Sequence, residues 1–338
     1  MRTVFEKIHE FDGMPHYSKH EQLVQGIINA IEEKIIVQGN ALPSVNAMIA
    51  ETGFARETIM KGYRELLSRG IIEVKKGLGY FVAHNNVKQE LKVALLMYAM
   101  DTFQGQLYSS FRKELGDTIH VDVFFHHGNI EVFETIISMI KNKYGMYVVS
   151  PIPHPQTKEL LSQIPRNKFL MIDRYEPLDG DFNYVVQEFG KASYKAFAEL
   201  APQVKKFQEM IFFHEPGSLV PIEIIQSYSR FIKDYNINGK MLPAYQPGSL
   251  RKGVVYYTND NAELWNILKD SISENFELGK DIGILSHNDE LVKEIICGGI
   301  TTYSTDFGMM GKKAAQAVLC KKAVHEIIPT TLIKRKSI

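Results

Sequence analysis

Four polar side chains lie at helical spacing between residues 56 and 64: Arg56, Thr58, Lys61 and Arg64. They fall off a stripe made by Ile59, Tyr63, Leu66 and Leu67, which recur at three- and four-residue steps and so mark a buried helix face. Arginine and lysine pair with guanine or phosphate, and threonine can bond to any base edge. The chemistry on offer is hydrogen bonding in a groove of duplex DNA. A few residues later Lys75-Lys76-Gly77-Leu78-Gly79 forms a cationic tip with two glycines. Charge supports this only locally. Residues 1–84 carry ten Lys/Arg and ten Asp/Glu, while residues 56–76 carry six and three. A small helical domain with a solvated charged face remains the alternative.

A second group of polar residues follows a series of apolar runs: Tyr98 to Asp101, His126-His127, Ser150-Pro151, Asp173-Arg174, Asn259-Asp260 and His287-Asn288-Asp289. Carboxylates, amides, an arginine and aromatic faces are the groups that bind a sugar's hydroxyls and C–H surfaces. The plainer reading of any one of them is a helix cap following a strand, since Asp and Asn favour that place. Tyr98, Phe125 and Tyr257 are expected to pack in cores rather than to stack on a ligand. His126 and His127 are adjacent, so they point apart and make a poor metal pair.

The elements that must hold these residues have two different periodicities. Residues 18–37 read as a long first helix, ended by Gly39-Asn40. Residues 1–16 show no clear period; an arm on a partner subunit and an unstructured tail are equal alternatives. Leu42-Pro43-Ser44 is a helix entry with Ser44 as cap, Gly53 a turn, residues 56–69 the next helix, and residues 71–74 and 80–82 a short β-ribbon. That order is a winged helix-turn-helix. Residues 84–87 read as a linker. Beyond it strands alternate with helices: residues 92–98, 120–125, 146–149, 169–172 and 184–186 form one parallel set, and 210–213, 240–244, 254–257 and 282–285 a second. Two such sets imply two similar lobes, with a ligand beyond the carboxyl ends of the strands and a cleft that closes by hinge motion.

Composition sets the outer limits. The 338 residues suit two or three domains, 45% are apolar as in globular chains, and the net charge is zero. No run of 18 apolar residues is present, and the first residues lack a signal pattern, so a cytoplasmic protein without a membrane partner is expected. Cys297 and Cys320 are isolated and expected to be buried thiols. There is no HExxH, GxSxG or P-loop and no metal-spaced Cys/His set, so neither enzymatic activity nor a cofactor is expected.

The segment from residue 17 to 82 resembles the DNA-binding domain of the GntR family of bacterial regulators. The likeness rests on Leu42-Pro43-Ser44, Gly53, Arg56, Thr58-Ile59, Tyr63 to Leu66, Gly70 to Ile72 and Lys76 to Val82. It implies that Ser44, Arg56, Thr58 and Lys61 meet DNA, and that the wing at Lys76, Gly77 and Gly79 lies in or beside the minor groove. Two positions depart from the family: Asn46 stands where it usually has Arg, and Glu57 where it has a small polar residue. Asn can read adenine and Glu can accept from cytosine, so a different operator is implied.

Residues 91–338 resemble the effector domain of LacI-type regulators and periplasmic sugar-binding proteins. The carrying motifs are Phe169 to Arg174, Val255 to Ala262, Gly279 to Asp289, Ile300 to Thr302, Gly311 and Ala314-Ala315. By this likeness Asn288 stands where the family often has a sugar-binding Asp, and Asp260 falls in its Asn-Asp pair. The family's arginine near residues 226–230 has no clear counterpart, so either the sugar is anchored differently there or Arg230 or Arg174 takes over. The expectation is therefore a multidomain α+β and α/β chain: a winged helix-turn-helix over 1–84, a linker over 85–90, and a two-lobed sugar-binding and dimerisation domain over 91–338. Expected effector contacts are Asp101, His126, Asp173, Arg174, Arg230, Asp260, Asn288 and Asp289. Expected partners are a pseudo-palindromic operator, a second copy of the chain, and a pentose or 6-deoxyhexose, as in arabinose- or fucose-responsive regulators. A sugar-binding or transport module and a sugar-processing enzyme are the rival readings.

Overall fold

The computed structural model describes residues 3–14, 17–83, 91–117, 119–141, 143–320 and 323–338. The linker expected at 84–90 lies outside these. The chain divides into two compact units, Met1–Glu90 and Leu91–Ile338.

The first unit begins with α1 (Val4–His9), capped by Thr3 and Glu6, and α2 (Lys19–Glu32), capped by Ser18 and Glu21. Both starts are reciprocal capping boxes, which satisfy the amides a helix leaves open. α3 (Val45–Thr52) starts at Ser44, whose hydroxyl accepts from the Ala47 amide at 3.2 Å, and ends at Gly53 with φ 67°. α4 (Arg56–Ser68) follows, then the antiparallel ribbon β1 (Ile72–Lys75) and β2 (Gly79–Val82). Ile27, Met48, Ile59, Tyr63, Leu66 and Val82 meet in one core.

Two expectations fail here. Residues 4–9 are neither an arm nor a tail: Val4 and Ile8 are buried in that core. α1 crosses α2 so closely that a Cβ on Gly26 would lie 2.7 Å from the Ile8 Cα. A six-residue helix is too short to show a period, so the sequence hid it. The first helix also stops at residue 32 rather than 37. Lys34 takes φ 58°, and the Ile35 amide bonds the Ala30 carbonyl at 2.8 Å. This is a helix-ending turn without the usual glycine.

The second unit has two lobes. In the first run β3 (Lys92–Met97), α5 (Thr102–Leu115), β4 (His120–Phe125), α6 (Ile130–Ile140), β5 (Met146–Val149), α7 (Thr157–Ser162), β6 (Phe169–Asp173) and β7 (Asn183–Gln187). The chain then crosses to the second lobe for α8 (Gly190–Val204), β8 (Glu209–Phe213), α9 (Ile222–Asp234), β9 (Gly239–Leu242), β10 (Val254–Thr258), α10 (Asn261–Ser273), β11 (Gly283–His287), α11 (Leu291–Ile295) and β12 (Thr301–Thr305). α12 (Phe307–Cys320) and β13 (His325–Ile328) return to the first lobe, and β14 (Thr330–Ile333) ends in the second.

The first sheet has the order β13-β7-β6-β5-β3-β4, all parallel. The second is β14-β12-β11-β10-β8-β9, with only β14 antiparallel. Both faces of each sheet are covered. On β3, Val93, Leu95 and Met97 face α5 and α12, while Ala94 and Leu96 face α6 and α7. This is why the strand reads as a continuous apolar run. The sequence reading missed β12, β13 and β14. β12 is rich in hydroxyls (Thr301, Thr302, Ser304, Thr305) and carries no apolar run, and β13 and β14 are short and partly exposed.

The last residues are stitched into the second lobe. Ser337 is fully buried; its hydroxyl accepts from the Thr301 amide at 2.7 Å and donates to the Ile284 carbonyl at 2.6 Å. A Cβ on Gly279, itself at φ 78°, would fall 2.3 Å from the Lys336 carbonyl oxygen. Cys297 and Cys320 are exposed free thiols, not buried ones, because the 3₁₀ turn after α11 and the last turn of α12 face outward. No helix of the described residues is long and apolar enough to cross a membrane.

Candidate functional site

In the first unit α4 presents its polar side outward. Arg56, Glu57, Lys61 and Arg64 are exposed and Thr58 is half-buried. Arg56 Nη1 donates to Asn46 Oδ1 at 3.2 Å, which joins α3 to α4 on the same side. Arg64 Nε instead turns back to the Met60 carbonyl at 3.2 Å. No side chain caps α4 at Ala55, so its first amides are open to an anion. Ser44 already uses its hydroxyl as the α3 cap. In the ribbon Gly77 and Gly79 have φ 77° and 107°, which lets the strands turn within three residues. Lys76 and Leu78 are exposed at that tip, and Lys75 Nζ lies 4.5 Å from the Phe81 ring centre. The arrangement gives one polar helix face and one cationic loop on a rigid apolar core.

In the second unit the strand ends bring together only some of the expected residues. Asp173, the last residue of β6, has φ 69°. Its carboxylate accepts from Gln187 Nε2 at 2.5 Å and Ser150 Oγ at 3.3 Å. Burial pushes its pKa up, opposed first by the neighbouring Arg174. Arg174 reaches across to the second lobe, where it donates to the Leu219 carbonyl at 2.8 Å. Burial lowers its pKa, opposed by Asp173 and Glu223. Leu219 also fills the space beside Gly128: a Cβ there would be 2.2 Å from Leu219 Cδ1.

On the second lobe, Asn259 and Asn288 are each the first residue past the adjacent parallel strands β10 and β11. The Oδ1 of Asn288 is buried without a hydrogen-bond partner, and the Asn259 amide lies beside the Tyr257 hydroxyl. Unpaired buried amides are costly, on the order of 1–3 kcal/mol each, and native proteins keep few of them. Below them Tyr257 and Tyr303 bond through their hydroxyls, and Ser193 Oγ joins at 3.2 Å. Glu290 is buried and accepts from Asn261 Nδ2 at 2.6 Å. The Asp101 carboxyl is raised by burial and further by Glu290 and Asp173, which places acidic groups of both lobes near one another.

Five expected contacts are occupied elsewhere. Asp101 and Asp260 are helix caps, accepting from the amides of Gln104 and of Ala262 and Glu263. The capping alternative thus describes both. His126 has neither ring nitrogen to spare: Nε2 bonds the Ser150 carbonyl at 3.1 Å and Nδ1 accepts from the Gly128 amide at 3.1 Å. Arg230 lies exposed on α9, paired with Asp234 at 3.2 Å and stacked over Tyr194, away from the strand ends. Asp289 is held by Arg335 through two bonds, 2.6 and 2.8 Å, and by Thr302 at 2.7 Å. Sequence reasoning left out Gln187 and Glu290, and it named Asn259 among the strand-end residues without counting it as an effector contact. Among the described residues no group of three or more His, Cys, Asp or Glu could hold a metal ion.

Two buried histidines set an acid limit on this unit. Burial pushes the pKa of His126 down to about 4 and that of His287 down to about 3, the latter with help from Lys293. Both are neutral when folded, whereas an unfolded histidine titrates near ~6.5. Below that pH the unfolded chain binds protons that the folded chain refuses, so stability falls as pH falls. Each is expected to cost about 2 kcal/mol between pH 6.5 and 5. Urea midpoints at pH 7.5 and 5.0 check this: His126→Gln should reduce the drop, and an equal drop in both proteins would refute it.

The comparisons with known proteins agree with both halves. The family described as "Bacterial regulatory proteins, gntR family" matches residues 19–82. The uncharacterized HTH-type transcriptional regulator YhcF of Bacillus subtilis is 33% identical over 98 residues, 29% of this chain and 77% of that one. The mannosyl-D-glycerate transport/metabolism system repressor MngR of Escherichia coli is 31% identical over 121 residues, 35% of this chain and 43% of that one. A dimeric Lac repressor structure superposes with TM-score 0.62 at 12% identity, covering 73% of this chain and 98% of that one. A LacI family transcriptional regulator from Lactobacillus casei, solved with bound glucose, gives 0.61 at 13% identity, covering 73% and 100%. At such identities the structures establish a shared fold.

Proposed function

Because this chain belongs to the gntR family of bacterial regulatory proteins, and so is a transcriptional regulator, we propose that it is a sugar-controlled repressor acting as a cytoplasmic homodimer on a pseudo-palindromic operator. The observation that carries the sugar reading is the pair of amides, Asn259 and Asn288, at neighbouring strand ends, with the Oδ1 of Asn288 buried and unpartnered. Asp173 and Arg174 stand at the corresponding end of the other sheet. Amides bond adjacent hydroxyls as donor and acceptor together, and a carboxylate–arginine pair does the same from the opposite side. The glucose in the Lactobacillus casei structure and the repressor role in MngR's name support the assignment. A pentose or a 6-deoxyhexose is the sugar class proposed. The protein acts by binding, without turnover.

Recognition of DNA falls to Asn46, Arg56, Glu57, Thr58 and Lys61, with Arg64, Ser44 and the wing residues Lys76, Gly77 and Gly79 at its margins. Sugar binding is coupled to operator binding by on the order of 1–3 kcal/mol, reciprocally. The test is a thermal-shift screen against pentoses, 6-deoxyhexoses, hexoses and their phosphates. A sugar at a hundred times its Kd stabilises the protein by about 2.7 kcal/mol, and Asn288→Ala should erase that shift. No shift with any sugar, or an unchanged shift in Asn288→Ala, would refute the site; product formed from a bound sugar would refute the absence of turnover.

A further inference from the structure

Lys293, in the middle of α11, is only 1% exposed. Its ammonium donates to three oxygens at the end of β11: Ser286 Oγ at 3.0 Å, the His287 carbonyl at 3.1 Å and the Asn288 carbonyl at 2.8 Å. A buried ammonium without a carboxylate in contact is expensive. Its three donors are fully matched by three acceptors, as the geometry of –NH₃⁺ allows. Asn288 itself has φ 58°, the left-handed region that asparagine tolerates better than other non-glycine residues, so a modest pair of bonds is enough to hold it there. The Asn288 amide nitrogen of the backbone is fixed to the Tyr303 carbonyl at 3.0 Å, and its carbonyl is fixed by Lys293. The two bonds clamp the peptide on both sides, and the side chain is left with its Oδ1 unpartnered.

We infer that Lys293 is a positioning residue, which holds Asn288 in its left-handed conformation so that the amide is presented to the effector. The inference rests on the sugar-binding reading of the Asn259–Asn288 pair. It assigns a role to a lysine that touches no ligand, and it makes effector binding sensitive to alkaline pH. Burial lowers the Lys293 pKa to about 8. The charged groups around it are Glu290 and Asp289 on the loop before α11, Arg335 on the C-terminal segment and Asp260 ahead of α10. Loss of the third N–H releases one of the three oxygens and with it the clamp.

The experiment measures affinity by thermal shift and calorimetry with L-arabinose, D-xylose and L-fucose from pH 6.5 to 9.5. It uses the full chain. Affinity is expected to fall on the order of tenfold across pH 8, about the value of one hydrogen bond. Lys293→Met should weaken binding by at least that much at pH 7 and give a flat profile, whereas Lys293→Arg should restore part of the affinity with a flat profile. A crystal structure of Lys293→Met should show Asn288 out of the left-handed region, and this readout needs no ligand. Binding in Lys293→Met with the parent's affinity and pH profile would overturn the inference while leaving the site intact. If none of the three sugars binds the parent protein, the sugar reading fails for them, and the Asn288 conformation in the Lys293→Met crystal alone decides the positioning role.

Discussion

Gly311→Val is expected to destabilise the two-lobed unit by about 4 kcal/mol or more. α12 returns from the second lobe and lies along α5, with Gly311 at the crossing. A Cβ there would sit 2.1 Å from the Leu107 carbonyl oxygen and 3.0 Å from the Phe111 nitrogen. These are backbone atoms of a hydrogen-bonded helix and cannot turn aside. The helices must separate, which strips contacts from Met310, Ala314, Leu107 and Phe111 in a core they share with β3 and β6. Overpacking a close-packed core costs on the order of 1–3 kcal/mol where side chains can adjust. Here they cannot, so about 4 kcal/mol or more is expected, a large fraction of a domain's stability. Gly311→Ala should show a smaller part of the same loss. Urea unfolding followed by near-ultraviolet circular dichroism reports on the aromatic-rich second unit. An unchanged midpoint in Gly311→Val would show that the crossing is looser than described.

The Arg56→Ala, Lys61→Ala double variant is expected to lose on the order of hundredfold or more in operator affinity, since a base-edge pair is worth ~1–3 kcal/mol and a phosphate contact somewhat less. Both residues are exposed on α4 and neither holds the core. Arg56 also orients Asn46, so its loss frees a second reader. Operator fragments selected from random DNA, measured by fluorescence anisotropy at several salt concentrations, give the affinity and its slope. A Lys61 that meets phosphate lowers the slope by about one when removed. Unchanged affinity in the double variant would remove α4 from the interface.

How far the sequence discloses this structure depends on the range of the interactions involved. The winged helix was legible because its signals are local: the Ser44 cap, the left-handed Gly53, the apolar stripe ending in Leu66, and the two glycines of the tip. The strands buried on both faces were legible for the same reason. What stayed hidden is set by contacts between distant residues. Lys34 takes a turn conformation usually left to glycine, and α1 is held only by its fit to Gly26. Within the candidate site, Asp173, Arg174 and Asn288 could be picked from their places after strands. The sequence could not say that His126 spends both nitrogens on backbone, that Asp289 belongs to Arg335 forty-six residues away, or that Lys293 is buried. Each of these depends on where a side chain turns once the strands and helices are packed, and neither spacing nor residue type announces it.

The chain passes between the lobes three times: after Gln187, after Thr305 and after Ile328. The three passages are tied side by side, since Thr305 Oγ1 donates to Gln187 Oε1 at 2.9 Å and bonds Thr330 Oγ1 at 2.8 Å. This interleaving sets an order of assembly during synthesis. Residues 3–83 have a core of their own and can fold as soon as they leave the ribosome. Neither sheet of the second unit can be completed until β13 and β14, its last strands, have emerged, and α12 must travel back to α5 before the first lobe has its second face. For most of its translation the nascent chain is therefore a finished DNA-binding head attached to an unfinished body whose apolar sheet edges are bare. Chaperone protection is most needed between the emergence of β3 and that of β14.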